Sequence, residues 1–166
     1  DLQPHQVDAA LFAFQSPISR GAILADEVGL GKTIEAGLVL SQLWATSKKK
    51  LLIITPAHLR KQWAVELEDK FYLPTTIMGS KDFNARHKAG QHNPLEDERI
   101  LICSYNFIAK QAAYVQDIRW DLVVIDEAHR LRNVWRPKAP LAKAVKEATS
   151  GPRKLLLTAT PLQNSL

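Results

Sequence analysis

The chain has 166 residues, 46% of them hydrophobic and 23% charged, a balance that excludes a disordered polymer and suits one domain with a packed core. Its apolar runs LLII, ILIC, LVVI and LLL are far shorter than the roughly 20 residues that cross a bilayer, and with no signal-peptide pattern no membrane role is expected. Lys and Arg number 22 against 17 Asp and Glu, a formal charge of +5, which favours a polyanionic partner such as nucleic acid without identifying one.

Taken in chain order, short β-branched or leucine-rich runs predict strands at 22–25, 51–55, 76–78, 100–104, 122–125 and 154–158. Helix-length segments fall at 4–14, 32–45, 57–71, 106–116 and 138–149. The strands are apolar continuously rather than alternately, the pattern of parallel strands covered on both faces. With helices between them they predict βαβ units, hence an α/β fold around a central, mainly parallel sheet. In the helix at 57–71, Leu59, Trp63 and Leu67 recur at four-residue spacing as one apolar stripe. Residues 79–99, rich in Gly, Asn, Pro, His and mixed charge, lack clear periodicity and are read as a short helix plus a surface loop.

The first segment with chemistry runs from Ile23 to Thr33, ILADEVGLGKT, from a strand through a glycine-bearing turn into a helix. A phosphate-binding loop needs this context. Gly29 and Gly31 let backbone amides close around a phosphate at a helix end whose dipole favours anions. Lys32 supplies a point charge for β- and γ-phosphates, and the Thr33 hydroxyl can ligate Mg²⁺. One departure from G-x-x-x-x-G-K-[ST] is that Asp26 takes the first glycine's place. Ile34 stands where G-x-G-x-x-G would need its third glycine, which disfavours a dinucleotide fold.

The second segment is Leu122 to His129, LVVIDEAH, which sets two carboxylates at the end of a buried strand. Ligands bind at that edge in open α/β sheets. Asp126 is the candidate for holding Mg²⁺ through its water shell, and Glu127 for orienting or deprotonating the attacking water once ATP is bound. Alone, an apolar strand ending in Asp-Glu can as well be a helix cap; paired in order with Gly-Leu-Gly-Lys-Thr, it points to nucleotide hydrolysis.

Other features read more blandly. Cys103, the single cysteine, lies in the run ILICSY and is expected to be buried and inert, which suits a cytoplasmic protein. Trp44, Trp63 and Trp120 are read as core or edge packing. His87 and His92 lack further ligands for a zinc site, and Lys48, Lys49 and Lys50 are read as a solvated turn. Residues 130–138, with four cations and Trp135, can be a phosphate-contacting loop with a stacking indole or an ordinary solvated loop.

In order, DEVGLGKT at 26–33, DEAH at 126–129 and LTATPLQN at 157–164 resemble motifs I, II and III of Swi/Snf-like ATPases in helicase superfamily two, RapA-like bacterial and archaeal members in particular. LQPHQ at 2–6 and ITPAHLRKQW at 54–63 resemble that family's Q motif and motif Ia, so the likeness covers nearly the whole chain. The resemblance implies a RecA-like P-loop lobe over residues 1–166 that binds ATP and Mg²⁺. Its nucleotide contacts would be Gln6, which reads adenine, and Asp26, Glu27, Val28, Gly29, Leu30, Gly31, Lys32 and Thr33, with Lys32, Asp126 and Glu127 catalytic and Thr33 and Asp126 on the metal. It implies that one strand of duplex DNA lies across Pro56, His58 and Arg60 and around Ser104 and Tyr105, and that His129, Thr158 and Thr160 couple nucleotide state to DNA.

Both chain ends are read as cut points, and the resemblance places arginine fingers on a second RecA-like lobe. Such fingers are worth roughly 10³ to 10⁵ in turnover, so little hydrolysis is expected of this lobe alone. A polymerase or other nucleoprotein target and a cytoplasmic, nucleoid-associated location fit the same reading. The alternatives are an RNA or restriction-type helicase lobe, which Asp26 and Glu27 disfavour, and a nonenzymatic protein-docking module, which the intact Lys32, Thr33, Asp126 and Glu127 disfavour.

Overall fold

The computed structural model describes residues 21–25, 29–133 and 140–158. These form a six-stranded sheet in the order β1-β6-β5-β2-β4-β3, with every pairing parallel. The strands are β1 Gly21–Ala25, β2 Leu51–Thr55, β3 Thr75–Ile77, β4 Ile100–Ser104, β5 Leu122–Ile125 and β6 Lys154–Thr158. The helices are α1 Gly29–Ala45, α2 Arg60–Phe71, α3 Ser80–Lys88, α4 Tyr105–Lys110, α5 Ala112–Gln116 and α6 Pro140–Ala148.

The expected α/β architecture is present, and the burial pattern shows why the strands carry no polar alternation. Along β2, Leu52 and Ile54 join a core with Val123, Phe107, Val115 and Val145, while Leu51 and Ile53 join a second core with Val124, Leu40, Leu43 and Leu67. Successive side chains point to opposite faces, and both faces are covered, by α4, α5 and α6 on one side and by α1 and α2 on the other. Because every strand runs the same way, their carboxyl ends share one edge, and α1 and α4 start there.

Several boundaries differ from the sequence reading for local reasons. The helix expected at 57–71 opens as a 3-10 turn, Ala57–Leu59, in which the Leu59 amide donates to the Pro56 carbonyl at 2.9 Å; α-geometry starts only at Arg60. The helix expected at 106–116 starts one residue early, where the Ser104 Oγ accepts the Phe107 amide at 3.2 Å, and breaks at Gln111, whose backbone sits at φ −106°, ψ 29°. Strand β3 lies one residue earlier than expected, although the Met78 amide extends its ladder to the Ile102 carbonyl at 3.0 Å. Residues 79–99 hold α3 and a loop fastened by the Arg86–Asp97 ion pair at 2.9 Å. The predicted helix at 4–14 lies outside the described residues.

Candidate active site

At the shared edge, α1 follows β1 and carries Gly29 and Gly31 in its first turn, with Lys32 next. Lys32 is 5% exposed, and its ammonium lies 3.7 Å from Asp126 Oδ1 and 3.8 Å from Glu127 Oε1. The two carboxylates balance this buried cation, so the two sequence segments meet as their chemistry requires. Thr33 lines the same open cleft of about 290 Å³, together with Gln62, Trp63, Asp126 and Glu127. Glu66 also faces it, and its buried Oε2 has no hydrogen-bond partner among the described residues.

Asp126 is held from several sides. Its Oδ2 accepts the Thr55 hydroxyl at 3.0 Å and the Trp63 indole N–H at 2.9 Å, while Oδ1 accepts the Glu127 amide at 2.9 Å. Its own amide donates to the Ile54 carbonyl at 2.8 Å, which continues the β2–β5 ladder past the strand end. Glu127 then turns out of the strand with a left-handed backbone, φ 57°. The Tyr105 hydroxyl braces that turn by donating to the Asp126 carbonyl at 2.7 Å and the Glu127 carbonyl at 3.3 Å. Burial, and next to it the charge of Asp126, pushes the Tyr105 phenol well above its ordinary range. Arg130 lies over the same ring, 5.8 Å from its centre.

His129 connects this turn to β6: its Nε2 is 3.4 Å from Glu127 Oε2 and its Nδ1 is 3.3 Å from Thr158 Oγ1. Two of the three residues read as coupling elements are therefore in contact with each other, and one of them, His129, also reaches Glu127. Of the five read as DNA contacts, only His58 is exposed and Arg60 is half-buried, its Nε donating to the Ala57 carbonyl at 3.0 Å. Pro56, Ser104 and Tyr105 are buried, and the hydroxyls of the latter two are engaged within the protein, as helix cap and turn brace. Gln6, Asp26, Glu27, Val28 and Thr160, like Trp135, lie outside the described residues; Leu30 falls in the first turn of α1.

Sequence reasoning took Trp63 for packing and did not single out Thr55. Trp63 does pack with Leu40 and Leu67, but its indole N–H also reaches Asp126. A buried indole N–H needs an acceptor, and that requirement was the available signal. The donor set suits magnesium: a hydroxyl at Thr33 and a carboxylate at Asp126 are hard oxygen ligands, and Mg²⁺ keeps most of its shell as water and substrate phosphate. Among the described residues there is no cluster of three or more His, Cys, Asp or Glu side chains that could hold a metal by itself.

The model of the SNF2-related domain matches residues 5–166 of this chain. The chain belongs to the SNF2-related family. The RNA polymerase-associated protein RapA of Pectobacterium carotovorum is 43% identical over 169 residues, covering 98% of this chain and 17% of that protein. RapA of Klebsiella pneumoniae is 41% identical over 170 residues with the same coverage. The Sulfolobus solfataricus SWI2/SNF2 ATPase core in complex with dsDNA superposes with a TM-score of 0.75 at 28% identity, over 99% of this chain and 33% of that one. This SNF2-related chain thus spans about a sixth of the length of its RapA relatives, and its parallel sheet is that of a Swi/Snf-like ATPase lobe with the α/β, RecA-like fold.

Proposed function

We propose that this SNF2-related chain is the first of two RecA-like lobes of a DNA-stimulated ATPase and translocase, and that it binds ATP, Mg²⁺ and part of a DNA duplex. The observation that carries the reading is the convergence of Lys32 on Asp126 and Glu127, at 3.7 and 3.8 Å, beside Thr33 in one cleft. The ammonium of Lys32 exchanges its carboxylate neighbours for the β- and γ-phosphates, where it offsets charge that grows as the bond to the leaving group stretches. Thr33 and Asp126 would hold the magnesium ion, which would neutralise phosphate oxygens. Glu127 orients the attacking water from a left-handed turn that lines the cleft. His129, between Glu127 and Thr158, relays a change at the γ-phosphate position to β6. Gln6, Asp26, Glu27, Val28, Gly29, Leu30, Gly31 and Thr160 complete the nucleotide and coupling contacts.

Exposed His58 and half-buried Arg60, next to the carboxyl edge, provide the DNA-facing polar groups, and the helix dipole of α2 favours phosphate there. The DNA-bound state of the Sulfolobus relative supports duplex as the polymer, and the polymerase association in the RapA name supports a polymerase or other nucleoprotein as the target. The arginine fingers sit on the second lobe, so this lobe alone turns over ATP very slowly. No helix of the described residues is long and apolar enough to cross a membrane, and a cytoplasmic working place fits the buried lone thiol of Cys103.

The test compares ATP turnover by this chain and by a two-lobed protein that contains it, each with and without duplex DNA, alongside calorimetry of the chain with Mg·ATP. Binding by the chain and duplex-stimulated turnover only by the two-lobed protein are expected. No binding by folded chain, or stimulation by RNA in place of duplex, would overturn the proposal.

A further inference from the structure

The carboxylate assigned to magnesium is oriented by an indole. Trp63 sits one turn into α2, is 4% exposed and lies against α1, the helix that carries Lys32 and Thr33. Its N–H and the Thr55 hydroxyl both end on Asp126 Oδ2, at 2.9 and 3.0 Å, whereas Oδ1 accepts one donor, the Glu127 amide at 2.9 Å, and faces the Lys32 ammonium at 3.7 Å. An ionised carboxylate oxygen has two lone pairs in its plane, so two donors fill Oδ2 and leave the carboxylate little freedom to rotate. Both donors are neutral. A lysine or arginine in the place of Trp63 would hold the carboxylate as firmly, but its positive charge would repel the dication that the carboxylate is meant to receive.

We propose that Trp63 is a positioning residue for Asp126: its indole N–H, with the Thr55 hydroxyl, occupies Oδ2 and reserves for the magnesium ion the lone pair of Oδ1 that the Glu127 amide leaves open. This rests on the reading of Asp126 as the metal-bearing carboxylate. Since α2 also forms one wall of the cleft, the indole ties that wall to the metal, and its electronic surroundings change when a dication replaces Lys32 beside Oδ1.

Trp63→Phe removes the N–H and keeps an aromatic ring in the core; Thr55→Val removes the second donor at nearly constant shape. Calorimetry of the 166-residue chain would titrate ATP into each protein in EDTA, and Mg²⁺ into each protein with ATP present. In both variants the Mg²⁺ concentration for half-saturation should rise about tenfold, the scale of one hydrogen bond to a charged group, while metal-free ATP affinity stays within about twofold. The difference in indole emission between wild type and Trp63→Phe should shift with Mg·ADP and not with ADP in EDTA. An unchanged Mg²⁺ requirement in folded Trp63→Phe and Thr55→Val, or an equal loss of metal-free affinity, overturns the role of Trp63 while wild-type binding of Mg·ATP leaves the site itself standing. Should Trp63→Phe fail to fold, Thr55→Val and the wild-type emission response decide the matter. Failure of the wild type to bind Mg·ATP at all removes both readings together.

Discussion

Strand β5 carries an aspartate at each end, and the two are used in opposite ways. Asp121, half-buried before the strand, closes a two-bond loop on one residue: its amide donates to the Lys50 carbonyl at 2.7 Å, and its Oδ2 accepts the Lys50 amide at 3.0 Å. Lys50 turns its own ammonium to Glu96 at the surface. Asp126, after the strand, is 5% exposed and gathers side-chain donors from β2 and α2, with a buried lysine nearby. One carboxylate completes the backbone ladder where the sheet begins. The other is buried at some cost in solvation and kept beside a cleft, an arrangement that lowers stability unless a ligand uses it.

The contrast can be broken at its strongest point first. Lys32→Ala should reduce Mg·ATP affinity on the order of a hundredfold by calorimetry, whereas Lys50→Ala should leave it unchanged; equal effects would dissolve the distinction between the two ends. Next, Asp121→Ala should lower unfolding stability by about 1 kcal/mol in urea melts with no change in nucleotide affinity, while Asp126→Asn should remove the gain in ATP affinity that magnesium brings. Ser104→Ala, which removes the cap of α4, should cost about 1 kcal/mol and likewise spare nucleotide binding.

The smallest effect concerns alkaline pH. Cys103, buried, and Tyr105 both ionise less readily when folded, mainly because burial penalises the anion. In the unfolded chain they lose protons from about their ordinary values of 9.0 and 10.0, so above pH 9 the unfolded state binds fewer protons than the native one. Their contribution is therefore intact below that pH and declines as pH rises. Chemical melts from pH 7 to 10.5 should show stability level at first and then falling, with Cys103 unreactive to a thiol reagent until the protein unfolds.

What could be read from the sequence follows how local each determinant is. Lys32, Thr33, Asp126 and Glu127 were legible because strand, turn and residue type lie within one short segment each. Thr55 and Trp63 were not, because their partner is Asp126 and only the parallel register that pairs Ile54 with Ile125 brings it alongside them. Ser104 and Tyr105 show the reverse problem: their hydroxyls suit a phosphate on paper, but a helix cap and a carbonyl brace already engage them. The sheet itself was readable from continuous apolar runs. The pause at Gln111 and the tight turn after Pro56 were not, since each lies in local backbone geometry that the apolar pattern does not report.

The left-handed peptide at Glu127 has an evolutionary implication. For a side chain other than glycine that geometry costs about 1 kcal/mol, and asparagine or glycine would adopt it more comfortably. A lineage that selected only for a sturdier protein would drift toward those residues at position 127 and lose the acidic group in doing so. In this chain glutamate stands there, so the acidic group is held at the expense of a more relaxed backbone.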